Sequence, residues 1–113
     1  MAIRKYKISG VIDASGNASS YSVPIRGRIL AVGVDYPANT CTIDLDTDGE
    51  ASAQKIIDLG AANTDATYYP RTPSQDHTGT DVTFDGTNEI YEPFVVYGRI
   101  KLTVASGTDT ERV

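Results

Sequence analysis

Alternating aspartates in the stretch TIDLDTDGE, residues 42–50, have the spacing of a metal-binding motif. The pattern D-x-D-x-D-G opens the calcium loop of a helix–loop–helix hand, and here it consists of Asp44, Asp46, Asp48 and Gly49. Such a loop requires a glutamate at its twelfth position, where both carboxylate oxygens hold the ion. The twelfth position is Lys55, which places a cation where the carboxylate should be. The sequence therefore excludes a helical calcium hand.

A different oxygen-ligand site could still form on this stretch. On a β-strand, Asp44 and Asp46 lie on one face about 6–7 Å apart, and Asp48 and Glu50 lie in the turn that follows. The alternative interpretation is that outward strand positions are polar because they are solvated, and that Asp and Gly form an ordinary turn. We favour the solvated strand and turn, and keep a weak metal site at Asp44, Asp46 and Asp48 as the alternative.

Residues that could act as nucleophile and base are scarce. The one histidine, His77, follows Asp76 in a loop rich in Pro, Asp and Gly, and the one cysteine, Cys41, has no partner for a disulfide. No serine lies in a G-x-S-x-G elbow, and no glycine-rich phosphate loop is present. We expect Cys41 to be a small buried strand residue and His77 to be solvated. The chain is therefore expected to be neither an enzyme nor a cofactor-binding protein.

Charge is distributed unevenly along the 113 residues, whose net charge is −5. Residues 1–28 contain five basic residues and one acid, whereas residues 29–113 contain five basic residues and fourteen acids. A basic beginning on an acidic body suits head-to-tail contact between copies or docking on an acidic surface. So small a basic cluster argues against nucleic-acid binding. No apolar run reaches signal or membrane-spanning length, so we expect assembly in a cytoplasm and no membrane partner.

Hydrophobic periodicity follows a repeat of two residues and predicts one all-β domain over residues 1–113. About seven or eight short strands, separated by turn signals, are typical of an antiparallel β-sandwich, here expected to be jelly-roll-like. Residues 1–10 are expected to form an arm or an edge strand, and residues 106–113 a flexible tail. Residues 51–59 fit either a helix or a strand.

Several strands can be assigned faces from their alternation. In TCTIDLD, Cys41, Ile43 and Leu45 are expected to face the core. The stretch RGRILAVGVDY, residues 26–36, is apolar on both parities and is predicted to be a central strand covered on both sides. Gly98 is expected to bend the last strand or to divide it in two.

The segment ATYYPRTP, residues 66–73, combines tyrosines with an arginine between two prolines. In an extended chain Tyr68 and Tyr69 point to opposite faces, so it is either a strand with one tyrosine in the core or a contact patch. Tyrosine and arginine are enriched where proteins bury contacts. The residues that we expect to contact partners are Arg4, Lys5, Lys7, Arg26, Arg28, Tyr68, Tyr69 and Arg71.

Three stretches together resemble a known family. SYSVPIRGRILAVGVDYPANTCTIDLDT, then TYYPRT, then YEPFVVYGRIKLTVASG, within residues 20–107, resemble small β-sandwich proteins encoded among the head genes of tailed bacteriophages. The resemblance implies a structural component of the virion, most often a decoration (cement) protein that binds the capsid exterior. It implies the major capsid protein or other virion subunits as partners, and a homotrimer. The alternatives are a tail or connector component, and a β-sandwich module that binds carbohydrate or calcium.

Overall fold

The computed structural model describes residues 4–49 and 53–113, which form nine β-strands and no helix. The chain is all-β, and every strand pair is antiparallel, as the period of two predicts. Within those two ranges there is no helix of the length and apolarity needed to cross a bilayer. The strands are β1 (Ala18–Tyr21), β2 (Ile25–Arg28), β3 (Val32–Val34), β4 (Cys41–Asp48), β5 (Lys55–Ala62), β6 (Ala66–Tyr68), β7 (Arg71–Pro73), β8 (Tyr91–Pro93) and β9 (Val95–Ala105).

The main sheet is organised around β9, which is eleven residues long. Strand order is β1-β9-β4-β5, and β2 also pairs with β9. The registers Ala18↔Val104 and Ile25↔Gly98 place β1 and β2 end to end along β9. Pro24 lies between them, at a strand end, where its lack of a backbone N–H costs no ladder hydrogen bond.

Gly98 lies where β9 changes its partner on this edge from β2 to β1. Its φ of 134° is one that side-chain-bearing residues rarely adopt, and a Cβ there would lie 3.2 Å from the carbonyl oxygen of Asp48. The strand is not divided in two at Gly98, because β9 runs without a break from Val95 to Ala105.

The alternation predicted for β4 is confirmed. Cys41, Ile43 and Leu45 are buried, and the intervening positions are partly exposed. Their side chains join those of Val96, Leu102 and other residues of β9 in one apolar core. Strand β5 contributes Ile56 and Ile57, so the part of residues 51–59 that the structure describes from Lys55 onward is strand.

The prediction of one central strand over residues 26–36 is wrong. The chain forms β2 on the edge of β9, leaves that sheet, and pairs as β3 with β6. Val34 and Tyr36 are buried, whereas Leu30 is 42% exposed. The stretch is apolar on both parities because it contributes to the core from two different strands. This split, together with the short strands β7 and β8, also explains why nine strands occur where seven or eight were expected.

The N- and C-terminal segments run beside each other. Residues 4–10, the described part of the segment expected to be an arm or an edge strand, form no strand. Gly10 and Val113 exchange backbone hydrogen bonds of 3.1 and 2.9 Å, and the Ile12 amide donates to Glu111 at 2.8 Å. The C-terminal residues, expected from their composition to be flexible, are therefore hydrogen-bonded to residues 10–16.

Candidate functional site

A single wide groove brings together the basic residues predicted to contact partners. Its lining includes Arg4, Lys5, Lys7, Arg26 and Arg28, and its volume is about 1430 Å³. The apolar part of the lining comes from inner-face residues of the main sheet and from the chain between β2 and β3. These apolar residues include Ile25, Ile29, Val32, Ile43 and Leu45. We call this surface the basic groove.

The other three predicted contact residues do not line the basic groove. Tyr68 is in β6 and packs against the core, while Tyr69 is 66% exposed, so the structure confirms one tyrosine in the core. The Arg71 guanidinium donates from Nη1 to the carbonyl oxygens of Leu30, at 3.3 Å, and Pro70, at 2.8 Å. Arg71 therefore connects the start of β7 to the chain that borders the groove.

The three aspartates of the acidic stretch lie on one face of β4, opposite the core face. Basic side chains from both neighbouring strands already contact them. Lys55 Nζ is 3.5 Å from Asp46 Oδ1 and 4.0 Å from Asp44 Oδ2. Arg99 Nε donates to Asp48 Oδ2. The positive charge that three carboxylates would otherwise attract is thus supplied by the chain itself.

Groups of three or more His, Cys, Asp or Glu side chains arranged to hold a metal ion do not occur among residues 4–49 and 53–113. Glu50, the fourth acid of the stretch, is outside these ranges. Burial, followed by the neighbouring Asp58 carboxyl, raises the pKa of Asp44, and Lys55 opposes this shift. A carboxyl with a raised pKa and a lysine beside it is a poor ligand for a divalent ion.

Cys41 and His77, the candidate nucleophile and base, are not arranged for catalysis. Cys41 is fully buried in the core, and burial raises the pKa of its thiol, as expected for a structural cysteine. His77 is exposed in a tight turn. The carboxylate before it, Asp76, accepts hydrogen bonds from Thr78 and Thr80, and these bonds lower the pKa of Asp76. The aspartate therefore organises the turn.

The excursion over residues 71–93 forms an element that we call the arm. Strands β7 and β8 form its base, and two small hairpins with turns at Asp76 and Asp85 form its far end. A triangle of backbone hydrogen bonds joins these parts: Ser74 donates to Ile90, Ile90 to Val82, and Val82 to Ser74, at 2.7, 3.1 and 2.8 Å. None of the residues in the arm is buried.

Apolar side chains on the arm are unusually exposed. Phe84 is 70% exposed, Tyr91 59% and Ile90 43%. Five acids surround them in the sequence of the arm, and Arg71 is its one basic residue. These acids are Asp76, Asp81, Asp85, Glu89 and Glu92. The motifs DHTGT and DGTNE each form one turn that is capped by the aspartate at its start.

The solvated face of the main sheet carries two stacked cation–aromatic pairs that the sequence did not reveal. The Arg99 guanidinium lies 4.1 Å from the ring centre of Tyr21 across β9 and β1. Arg26 lies 4.7 Å from the ring centre of Tyr97, its cross-strand partner. Both pairs join neighbouring strands, so they are expected to stabilise the edge formed by β1 and β2.

Comparison with known proteins adds no relative to this description. The chain matches no protein-family model, no curated protein and no solved structure.

Proposed function

We propose that this chain is a non-enzymatic structural protein of a phage virion, and most specifically a decoration protein that binds and stabilises the exterior of the capsid. The observation that carries the proposal is the coexistence of two contact surfaces on one small all-β chain, the basic groove and the arm. Exposed apolar surface such as that of Phe84, Ile90 and Tyr91 on the arm is typical of an interaction site.

The shape of the molecule supports a role in contacts between subunits. Its radius of gyration is 15.6 Å, whereas a compact chain of this length has about 13 Å. The dimensions are 46 × 30 × 27 Å. An extended molecule with an exposed arm is suited to bridging adjacent subunits of a shell, because one copy then contacts several neighbours.

The finer architecture is part of the same proposal. The main sheet and the β3–β6 pair pack on one core, to which Val34 of β3 and Ile43 and Val104 of the main sheet belong. We take these two elements as the layers of a jelly-roll-like sandwich, the fold implied by the resemblance to phage head proteins. The partners in this proposal are the major capsid protein or other virion subunits, and a homotrimer of this chain. A tail or connector component is the related alternative.

The mechanism is mechanical and not chemical. A protein that binds the assembled shell more tightly than its free subunits shifts the equilibrium toward the shell by mass action. The basic groove suits an acidic surface on a neighbouring subunit, while the apolar residues of the arm supply contact area. No reaction or cofactor enters this mechanism.

The test uses the particles specified by the genome that carries this sequence. Mass spectrometry of purified particles should find the chain in a fixed, high ratio to the major capsid protein. Heads stripped of it should break at a lower temperature, and purified protein added back should restore their resistance. Absence of the chain from purified heads would exclude capsid decoration, and its recovery with isolated tails would favour the tail component.

A further inference from the structure

We propose that the basic groove receives the arm of a second copy of this chain, so that copies associate head to tail. This inference rests on the self-association included in the proposed function and on no other part of it. It assigns one occupant to the groove and one function to the arm. Both surfaces belong to the same chain, so each copy offers one groove and one arm.

The groove has the size and lining of a site for polypeptide. Its volume of about 1430 Å³ exceeds the range of roughly 300–1,000 Å³ typical of small-molecule pockets. The lining combines the inner-face residues Ile43 and Leu45 with a rim that has six basic residues and the acids Asp35 and Asp65. The basic residues are Arg4, Lys5, Lys7, Arg26, Arg28 and Arg112. A partner must therefore bring apolar groups and negative charge together.

The arm has the composition that this groove requires. Phe84, Ile90 and Tyr91 expose apolar surface, and the arm carries five acids against one arginine. Two arms repel each other, and so do two basic rims, whereas an arm and a rim attract. Charge therefore selects the arm-to-groove arrangement over arm-to-arm or groove-to-groove contact.

The arm is shaped before it binds, which lowers the cost of ordering it. Asp76 and Asp85 cap the two turns through their carboxylates, and three backbone hydrogen bonds join the hairpins at Ser74, Val82 and Ile90. A preorganised segment gains affinity because less conformational freedom is lost on association. Within one chain, Pro93 at the base of the arm is its sole contribution to the groove lining, so the groove is open to another copy.

Contact between two different surfaces is heterologous, and its geometry decides the assembly. Heterologous contacts form a closed ring when the rotation between neighbours closes, and an open chain when it does not. In either case every copy inside the assembly uses its arm and its groove at the same time. A variant that lacks one of the two surfaces can still contact a neighbour through the other.

The experiment is sedimentation velocity of the purified chain over a wide concentration range, at low and high salt. The wild-type protein should form oligomers that weaken at high salt, since the contact is partly electrostatic. Phe84→Ser should remove the apolar tip of the arm, and Arg28→Glu should reverse a charge on the groove rim. Each variant should raise the dissociation constant at least about tenfold, which corresponds to about 1.4 kcal/mol.

The matched control is Val23→Ser, because Val23 is 61% exposed and belongs to neither surface. Its dissociation constant should equal that of the wild type. Thermal unfolding of all three variants should match the wild type, since the replaced side chains are exposed.

Mixing the two interface variants tests the arrangement itself. Arg28→Glu keeps its arm and Phe84→Ser keeps its groove, so an equal mixture should form a 1:1 dimer that grows no further. A wild-type chain that stays monomeric at every concentration would overturn the inference while leaving the particle test of the proposed function unaffected. Loss of association in Arg28→Glu but not in Phe84→Ser would show that another segment of the second copy occupies the groove, and the assignment of the arm would be wrong.

Discussion

Asp44 on β4 lies directly opposite Asp58 on β5, so two carboxyls occupy one cross-strand pair on the solvated face of the main sheet. Like charges in such a pair destabilise a sheet. Burial and Asp58 raise the pKa of Asp44, and Lys55 partly compensates from 4.0 Å. Between the ordinary aspartate pKa and the raised pKa of Asp44, the folded protein therefore keeps a proton that the unfolded chain releases. As a result, this pair makes the unfolding free energy fall as the pH rises through the raised pKa of Asp44.

Replacing the second carboxyl of this pair should stabilise the protein at neutral pH. Asp58→Asn removes the repulsion, keeps the contact between Asp44 and Lys55, and offers an amide donor to Asp44 Oδ1, which accepts no hydrogen bond among the described residues. We expect a gain of about 0.5 kcal/mol in unfolding free energy at pH 7, measured by urea denaturation. The gain should shrink as the pH falls through the raised pKa of Asp44, because a protonated Asp44 carries no charge to be repelled.

The control for this prediction is Asp109→Asn, which removes one negative charge from an exposed position outside the sheet. An equal gain in that variant would mean that lower net charge, and not the cross-strand pair, explains the effect.

Arg99 joins three strands through its guanidinium and should not tolerate replacement by lysine. Its Nε donates to Asp48 on β4, and its plane stacks on Tyr21 of β1. Arg99→Lys keeps the charge but loses the planar donor group, and it should lower the unfolding free energy by about 1 kcal/mol because the side chain is half-exposed. The reciprocal change Lys101→Arg keeps a cation near the same Tyr21 ring, 6.0 Å from its centre, and should cost little in the same urea titration. Equal losses in the two variants would contradict a specific contribution from the stacked pair.

Gly107 packs against Ile12 at the contact between the two terminal segments. A Cβ added there would lie 2.5 Å from Ile12 Cδ1 and 3.2 Å from Cγ2, and Ile12 is 1% exposed. Gly107→Ala should therefore cost about 1–3 kcal/mol in thermal or urea unfolding, as overpacked cores do. Gly60→Ala is the control, since no atom lies within 4 Å of its added Cβ. Ile12→Val removes the nearest methyl group, so Gly107→Ala should cost less in that background; an unchanged cost would contradict the steric explanation.

Each of the two turns of the arm should depend on its own aspartate and not on that of the other turn. Asp85→Ala removes the acceptor for the Thr87 and Asn88 amides, and Asp76→Ala does the same for Thr78 and Thr80. Each variant should speed hydrogen exchange at its own turn and leave the other unchanged, as measured by NMR, so each serves as control for the other. Uniform exchange across the arm in both variants would show that the turns form as one unit.

The same hydrogen bonds lower the pKa of Asp76 and Asp85. The ionised carboxylates therefore stabilise the turns above the ordinary aspartate pKa, and this contribution is lost as the pH falls through the lowered values. The amide chemical shifts of Thr78 and Thr87 should move in that acidic range.

Calcium should not bind the acidic face of β4. Lys55 and Arg99 contact the carboxylates that would act as ligands, so an ion would have to displace two cationic side chains. Isothermal titration of the wild-type protein with calcium should give no saturable heat. Saturable heat that disappears in Asp46→Ala would instead support the calcium-binding module.

The sequence predicted the direction of side chains best where one alternating pattern runs along a single strand of a single sheet. Cys41, Ile43 and Leu45 face the core because β4 lies within one sheet along its whole length. Tyr68 packs against the core and Tyr69 is exposed, as expected for successive residues of an extended chain. Residues 26–36 were misassigned because local alternation cannot distinguish a strand covered on both faces from a chain that leaves one sheet and joins another.

The candidate site was predictable only in part. The basic residues could be named from their types, but their gathering around one groove depends on the position of β2 beside residues 4–9. The sequence of the arm shows no regular apolar repeat. Its parts are held together by backbone hydrogen bonds between Ser74, Val82 and Ile90. Contacts of this kind involve no particular side chain, so composition and spacing do not reveal them.

The central position of β9 also bears on how the chain can fold during its synthesis. Ala18 pairs with Val104 and Asp44 with Thr103, so neither β1 nor β4 can pair with β9 before these late residues are made. Until those late residues have left the ribosome, β1, β2 and β4 have no β9 partner, and closing such long loops slows folding. A nascent chain of this kind exposes unpaired strand edges until β9 has been made. Interrupted translation would therefore release aggregation-prone fragments and no partly functional ones.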